Sequence, residues 1–101
     1  MIEIKYPRSF GAAQTVEFSS VWDDNLGLED IFAAFNAGSG CESTLFCKLH
    51  VRSMSSGDFV KFKGQWYQCL PVGWREVTEE RVKEIMAKKD YQPYSDGLFQ
   101  G

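Results

Sequence analysis

The sequence predicts an α+β domain: a mainly antiparallel sheet of about four to six strands carrying two helices, at about residues 26–36 and 78–89. Three observations lead there. Several short segments place apolar residues at every second position, as strands with one wet face require. Two other segments repeat their apolar residues every three to four positions, as amphipathic helices do. The chain has 101 residues, 44% hydrophobic and 15% aromatic, with no internal repeat, which suits one core and excludes disorder.

The first strand is Ile2-Glu3-Ile4-Lys5-Tyr6, stopped by Pro7. After a loop containing Gly11, Thr15 to Trp22 reads as a second strand, with Val16 and Phe18 alternating with polar neighbours, and the two pair antiparallel. Asp23-Asp24-Asn25 supplies N-cap side chains ahead of Leu28, Ile31, Phe32 and Phe35, the i, i+3, i+4, i+7 set of one buried helical face. Glu29 and Asp30 suit the positive end of that helix, and Asn36 to Gly40 ends it.

From Thr44 the period returns to two. Cys47, Leu49 and Val51 fall on an inner strand face, and Lys48, His50 and Arg52 on an outer one. Ser53 to Asp58 is a turn. In it short serine side chains bond the backbone, Gly57 supplies the turn conformation and Asp58 caps amides, so this segment serves the fold. Phe59 to Phe62 and Gln65 to Leu70 form a hairpin about Lys63-Gly64, with the glycine free to take positive φ. Pro71 and Gly73 bend the chain before Trp74 to Val77 extends again. Thr78 caps the second helix, Val82, Ile85 and Met86 form its buried stripe, and Lys88 and Lys89 suit its C-terminal end. Residues 1–90 form a single domain on this reading, and 91–101 an arm.

Net charge is −3 and unevenly placed: −5 over residues 1–47 and +2 over residues 48–101. An acidic total disfavours a general nucleic-acid binder, whereas the dipole orients a partner at encounter. No run of 18 apolar residues occurs, and the start lacks the basic-then-apolar shape of a leader, so a cytoplasmic protein without membrane contact is expected. Cys41, Cys47 and Cys69 are an odd number, which fits reduced thiols packed as small hydrophobes.

Two ordered stretches carry a family resemblance. Leu28-Glu29-Asp30-Ile31-Phe32-Ala33-Ala34-Phe35-Asn36 resembles the L-E-x-I-F-x-x-F-N helix of YodL-like domains. Arg52 to Val60 resembles their S-L-S-V-x-D-V-V turn and strand, and Gly73-Trp74-Arg75-Glu76-Val77 is similar to the closing G-F-x-E-L segment. The resemblance covers roughly residues 28–77. The chain departs from it where a short His-Pro linker is replaced by Ala37-Gly38-Ser39-Gly40-Cys41. It implies a small accessory protein of a bacterium, phage or other mobile element. It carries over no catalytic residue.

Chemistry-bearing constellations are few. Cys41, Cys47, His50 and Cys69 are zinc-type ligands, but the strand phasing sends Cys47 and His50 to opposite faces, so no metal is expected. The same phasing opposes a Cys–His nucleophile, and no catalytic residue is assigned. No Gly-x-Gly-x-x-Gly or Walker sequence occurs, and no cofactor is expected. Eight Phe and three Trp exceed what one small core holds, so at least one Trp belongs at an interface. The expected function is therefore a non-enzymatic interaction protein. Its partner, another protein, meets the face Lys48, His50, Arg52, Lys61, Lys63, Trp66, Tyr67 and Trp74. A homodimer through complementary surfaces or a strand edge is a further expectation. The alternatives are a nucleic-acid-binding accessory domain using the basic strand face, and an enzyme with a site that has no recognisable motif.

Overall fold

The computed structural model describes residues 2–8, 13–18, 27–40, 43–49 and 52–91. By internal contacts the chain divides into two compact units, one of Met1–Ser20 with Ser55–Gly101 and the other of Val21–Met54.

The first unit holds a five-stranded antiparallel sheet in the order β2-β1-β3-β4-β5. Its strands are β1 (Ile2–Tyr6), β2 (Gln14–Phe18), β3 (Phe59–Phe62), β4 (Gln65–Cys69) and β5 (Trp74–Val77). Period two explains β1: Ile2, Ile4 and Tyr6 are buried while Glu3 and Lys5 are partly exposed and paired at 3.2 Å. Ile4 lies opposite Val16 on β2 and Val60 on β3, so the register aligns three apolar side chains across the sheet. The β3–β4 hairpin turns at Lys63 (φ 52°) and Gly64 (φ 81°). Two consecutive positive φ values are what a two-residue hairpin of right-handed twist requires.

The α+β class holds, with three helices among the described residues in place of the two expected. After β5 comes the last of them, Glu79–Met86, begun as expected by Thr78, whose Oγ1 accepts a 3.1 Å hydrogen bond from the Arg81 N–H. Its Val82 and Ile85 are buried with Phe59, Trp66 and Tyr91, and Val77 and Met86 pack at the margin. Thr78→Ala should therefore cost about 1 kcal/mol, read as a lower urea midpoint with unchanged slope. An unaltered midpoint would show that the cap bond adds nothing. Tyr91 is 1% exposed, and its N–H donates to the Arg8 carbonyl at 2.9 Å. Residues 92–101, the body of the expected arm, lie outside the described residues.

In the second unit α1 spans Leu28–Ala34, shorter than the expected 26–36. The Gly27 N–H donates to Asp30 Oδ2 at 2.8 Å, closing the first turn from within. Asp23, Asp24 and Asn25, expected as caps, lie outside the described residues. Ile31, Ala34 and Phe35 are buried, whereas Leu28 and Phe32 are only half-buried. The apolar stripe is thus centred one column over from its expected position, with Ala34 inside it.

The segment from Thr44 corrects the sequence reading. It is a helix, α2 (Thr44–Leu49), not a strand, so α3 is the label for Glu79–Met86. The deciding residue is Ser43. Its Oγ accepts from the Phe46 N–H at 3.0 Å, and its carbonyl accepts from Cys47 N–H at 3.2 Å, the pattern of a helix start. Ser43 also donates through both its N–H (2.9 Å) and its hydroxyl (3.1 Å) to the Ala34 carbonyl, joining the end of α1 to the start of α2. Phe46 then turns inward against Phe35, edge to face, with ring centroids 5.8 Å apart. Cys47 and Lys48 are both exposed, so Cys47 is not the packed thiol expected of it. Returning chain is pinned to α1: Met54 N–H donates to the Phe35 carbonyl, and Asn36 Nδ2 to the Met54 carbonyl at 2.8 Å.

Candidate functional site

With Thr44–Leu49 helical, the outer strand face through Lys48, His50 and Arg52 does not form. Lys48 is exposed on α2 and Arg52 is half-buried, its guanidinium donating to the Ser53 carbonyl at 3.0 Å. His50 lies outside the described residues. Both described cations belong to the Val21–Met54 unit, whereas Lys61, Lys63, Trp66, Tyr67 and Trp74 belong to the sheet unit. Within the sheet, strand alternation divides the aromatic set. Trp66 on β4 pairs with Lys61 on β3 and Val77 on β5, and these share one face. Tyr67 and Trp74 point from the opposite face and are half-buried. Trp66 is only 5% exposed, so it is a core residue rather than an exposed anchor. Lys63 stands at the hairpin tip with its Nζ 5.2 Å from the Phe62 ring centroid.

What the sheet unit does assemble is an open cleft of about 470 Å³, lined by Lys61, Gly64, Gln65, Trp66, Glu76, Val77, Thr78 and Glu79. It lies at a corner, where the β3–β4 turn comes beside the junction of β5 with α3. Register accounts for the meeting: Trp66 lies opposite Val77, which brings the hairpin tip level with the start of the helix. Gln65 holds the corner together, its Nε2 donating to the Trp66 carbonyl at 3.0 Å and to the Val77 carbonyl at 3.2 Å. Trp66 forms an apolar wall, and Lys61 Nζ lies 5.9 Å from its ring centroid, within cation–π range. The indole Nε1 is buried and has no hydrogen-bond partner. Such a donor is costly to bury unsatisfied.

The lining has Lys61 and Glu79 as one ammonium and one carboxylate; Glu76 also borders the cleft, but it lies opposite Tyr67, so strand alternation sends its side chain to the other face of the sheet. The lining contains neither Cys nor His, and among the described residues no group of three or more His, Cys, Asp or Glu is placed to hold a metal ion. Of the expected residues, Lys61 and Trp66 border the cleft, and Lys63, Tyr67 and Trp74 do not. Gln65, Glu76, Thr78 and Glu79 were not foreseen there. Glu79 read as a helix start, which it also is, and only the β4–β5 register would have placed it beside Lys61.

A second concentration of polar groups is closed to solvent. Gln68 is fully buried; its Nε2 donates to the Gly57 carbonyl (3.1 Å) and to the Tyr91 hydroxyl (2.9 Å), and its Oε1 accepts from Arg75 at 2.6 Å. Asp58, also fully buried, accepts from the Ser55 N–H at 2.8 Å through Oδ2. Gly57, at φ 101°, donates to the Cys69 carbonyl, and Cys69 N–H to the Asp58 carbonyl, each at 2.8 Å. These bonds fix the turn that launches β3 and place no reactive group at a surface. Comparison with known protein families, curated proteins and solved structures returns no match.

Proposed function

We propose that this chain is a small non-enzymatic interaction protein of the bacterial cytoplasm that binds a protein partner at the corner cleft of its sheet. The observation that carries the reading is the make-up of that cleft: an aromatic wall, an open mouth and charges of both signs. Protein interfaces combine apolar surface with charges that set orientation. No helix among the described residues is long and apolar enough to cross a membrane, which agrees with a partner met in solution. The YodL-like resemblance of residues 28–77 supports an accessory role in a phage or other mobile element. The nucleic-acid alternative drew its geometry from a basic strand face that does not form, because Lys48 lies on a helix.

The test is affinity capture from nuclease-treated bacterial lysate with the full chain and with Lys61→Glu/Glu79→Lys. A protein retained in defined stoichiometry by the wild type and lost by the variant, with both melting alike, is expected. Retention of nucleic acid alone before nuclease treatment, falling steeply with salt, would instead support phosphate binding.

A further inference from the structure

We propose that two copies of this chain associate through β2, edge to edge and antiparallel, with Val16 on the two-fold axis and Thr15 of each copy opposite Glu17 of the other. The two five-stranded sheets then become one continuous sheet. The surface lies at the sheet edge away from β5 and the corner cleft, and it is separate from the one assigned above.

The backbone comes first. The Cys69 N–H donates to the Asp58 carbonyl at 2.8 Å, which sets the alternation of the ladder between β3 and β4. Two and four positions further on, Val60 bonds Tyr67 and Phe62 bonds Gln65. Phe59 and Lys61 therefore turn their amides and carbonyls to Lys5 and Glu3 on β1, and Ile2, Ile4 and Tyr6 turn theirs to β2. Across β2 the same alternation ties Val16 to Ile4 and directs the backbone groups of Thr15 and Glu17 out of the sheet. No strand among the described residues lies beyond β2. An edge of this kind is a template for another strand.

Alternation and charge then choose the register. Residues directly opposite in an antiparallel pair are both hydrogen-bonded or both not, so an outward residue must meet an outward residue. Glu17 opposite Glu17 would oppose like charges, and Thr15 opposite Thr15 would leave the strand ends overhanging. Thr15 opposite Glu17 overlays all of Gln14–Phe18 on its counterpart.

The side chains agree with that register. Thr15 and Glu17 share the sheet face of Glu3 and Lys5. Glu17 is exposed, lies opposite Glu3 as a like charge, and among the described residues takes part in no ion pair. Lys5 is paired with Glu3 at 3.2 Å and donates through Nζ to Thr15 Oγ1 at 3.4 Å, so its ammonium extends over the edge strand. In the joined sheet the Glu17 carboxylate of one copy arrives beside Thr15 and Lys5 of the other, and two-fold symmetry makes the contact twice. A second copy thus brings Glu17 the cation it lacks within one chain.

The experiment is sedimentation equilibrium of the full chain, of Glu17→Lys, of Lys5→Glu, and of the two variants mixed. The wild type should dimerise. Each variant alone sets like charges at both contacts and should raise the dimer dissociation constant at least about tenfold. The equimolar mixture should restore association, because Lys5 of the first variant meets Glu17 of the second and the two introduced charges meet each other. A wild type still monomeric at about 1 mM, a dimer indifferent to either variant, or a mixture no tighter than its components would overturn the proposal. Amide exchange of the wild type reads the same edge without any substitution. The Thr15 and Glu17 N–H groups should gain protection as concentration rises, while Val16 N–H, bonded to β1, stays protected throughout. Exchange at Thr15 and Glu17 that is the same in dilute and concentrated samples would overturn it as well.

Discussion

Phe35→Ala should lower stability by about 3–5 kcal/mol, the range for removing a fully enclosed aromatic ring. Phe35 is 0% exposed and holds Phe46 of α2 edge to face, while its carbonyl accepts from Met54 N–H. The Val21–Met54 unit therefore loses the ring contact between α1 and α2 and gains a cavity at the point where returning chain is tied down. Phe32, one turn-position earlier and only half-buried, should lose about 1–2 kcal/mol on the same substitution, because water already reaches part of its ring. The contrast is the test. Hydrogen exchange across residues 28–49 should show the Phe35 variant opening much more readily than the Phe32 variant, even where a global melt averages over both units. Equal effects would return the buried stripe to Leu28, Ile31, Phe32 and Phe35, as the heptad-like spacing alone implies.

Sequence reading reached the elements whose signals are local. Alternation sufficed for β1, the Lys63-Gly64 pair for the β3–β4 turn, and Thr78 followed by glutamates for the start of α3. It failed at Thr44–Leu49, where a six-residue stretch is too short for period to separate strand from helix. The discriminating signal was one residue upstream, in the hydroxyl of Ser43, a cap residue ahead of an apolar run. That error propagated to the site, because the basic face was built on the phase of a strand. Trp66 shows a different limit. Along β4, Trp66 and Gln68 share one face and Tyr67 and Cys69 the other, so hydropathy does not say which face is enclosed. Packing of α3 decides it, and that depends on contacts among Phe59, Trp66, Val82, Ile85 and Tyr91 that are remote in sequence. The cleft is of the same kind: Lys61 and Glu79 come to line it together through the β3–β4 and β4–β5 registers, which no local pattern states.

Gln68 is where that non-local packing is most exposed to test. Gln68→Ala should cost about 2–4 kcal/mol, because it removes three hydrogen bonds from a site that water does not reach. The loss is more than the sum of ordinary bonds. The Gly57 carbonyl loses a buried donor, and the Arg75 guanidinium loses an acceptor at 2.6 Å, a charge-assisted contact. Tyr91→Phe removes only one of the three bonds and keeps the ring among Phe59, Trp66, Val82 and Ile85, so about 0.5–1.5 kcal/mol is expected. The double variant should cost less than the two losses added, since the Gln68–Tyr91 bond is counted in both. Gln68→Glu separates polarity from size. Its carboxylate keeps the contact with Arg75 but has no N–H to give Gly57, and it faces that carbonyl as a second acceptor, so it should also destabilise. A glutamate variant as stable as the wild type in urea would show that Arg75 alone sustains the network. Strict additivity of Gln68→Ala and Tyr91→Phe would show that the chain after α3 is held by the packing of its ring and not by the hydroxyl.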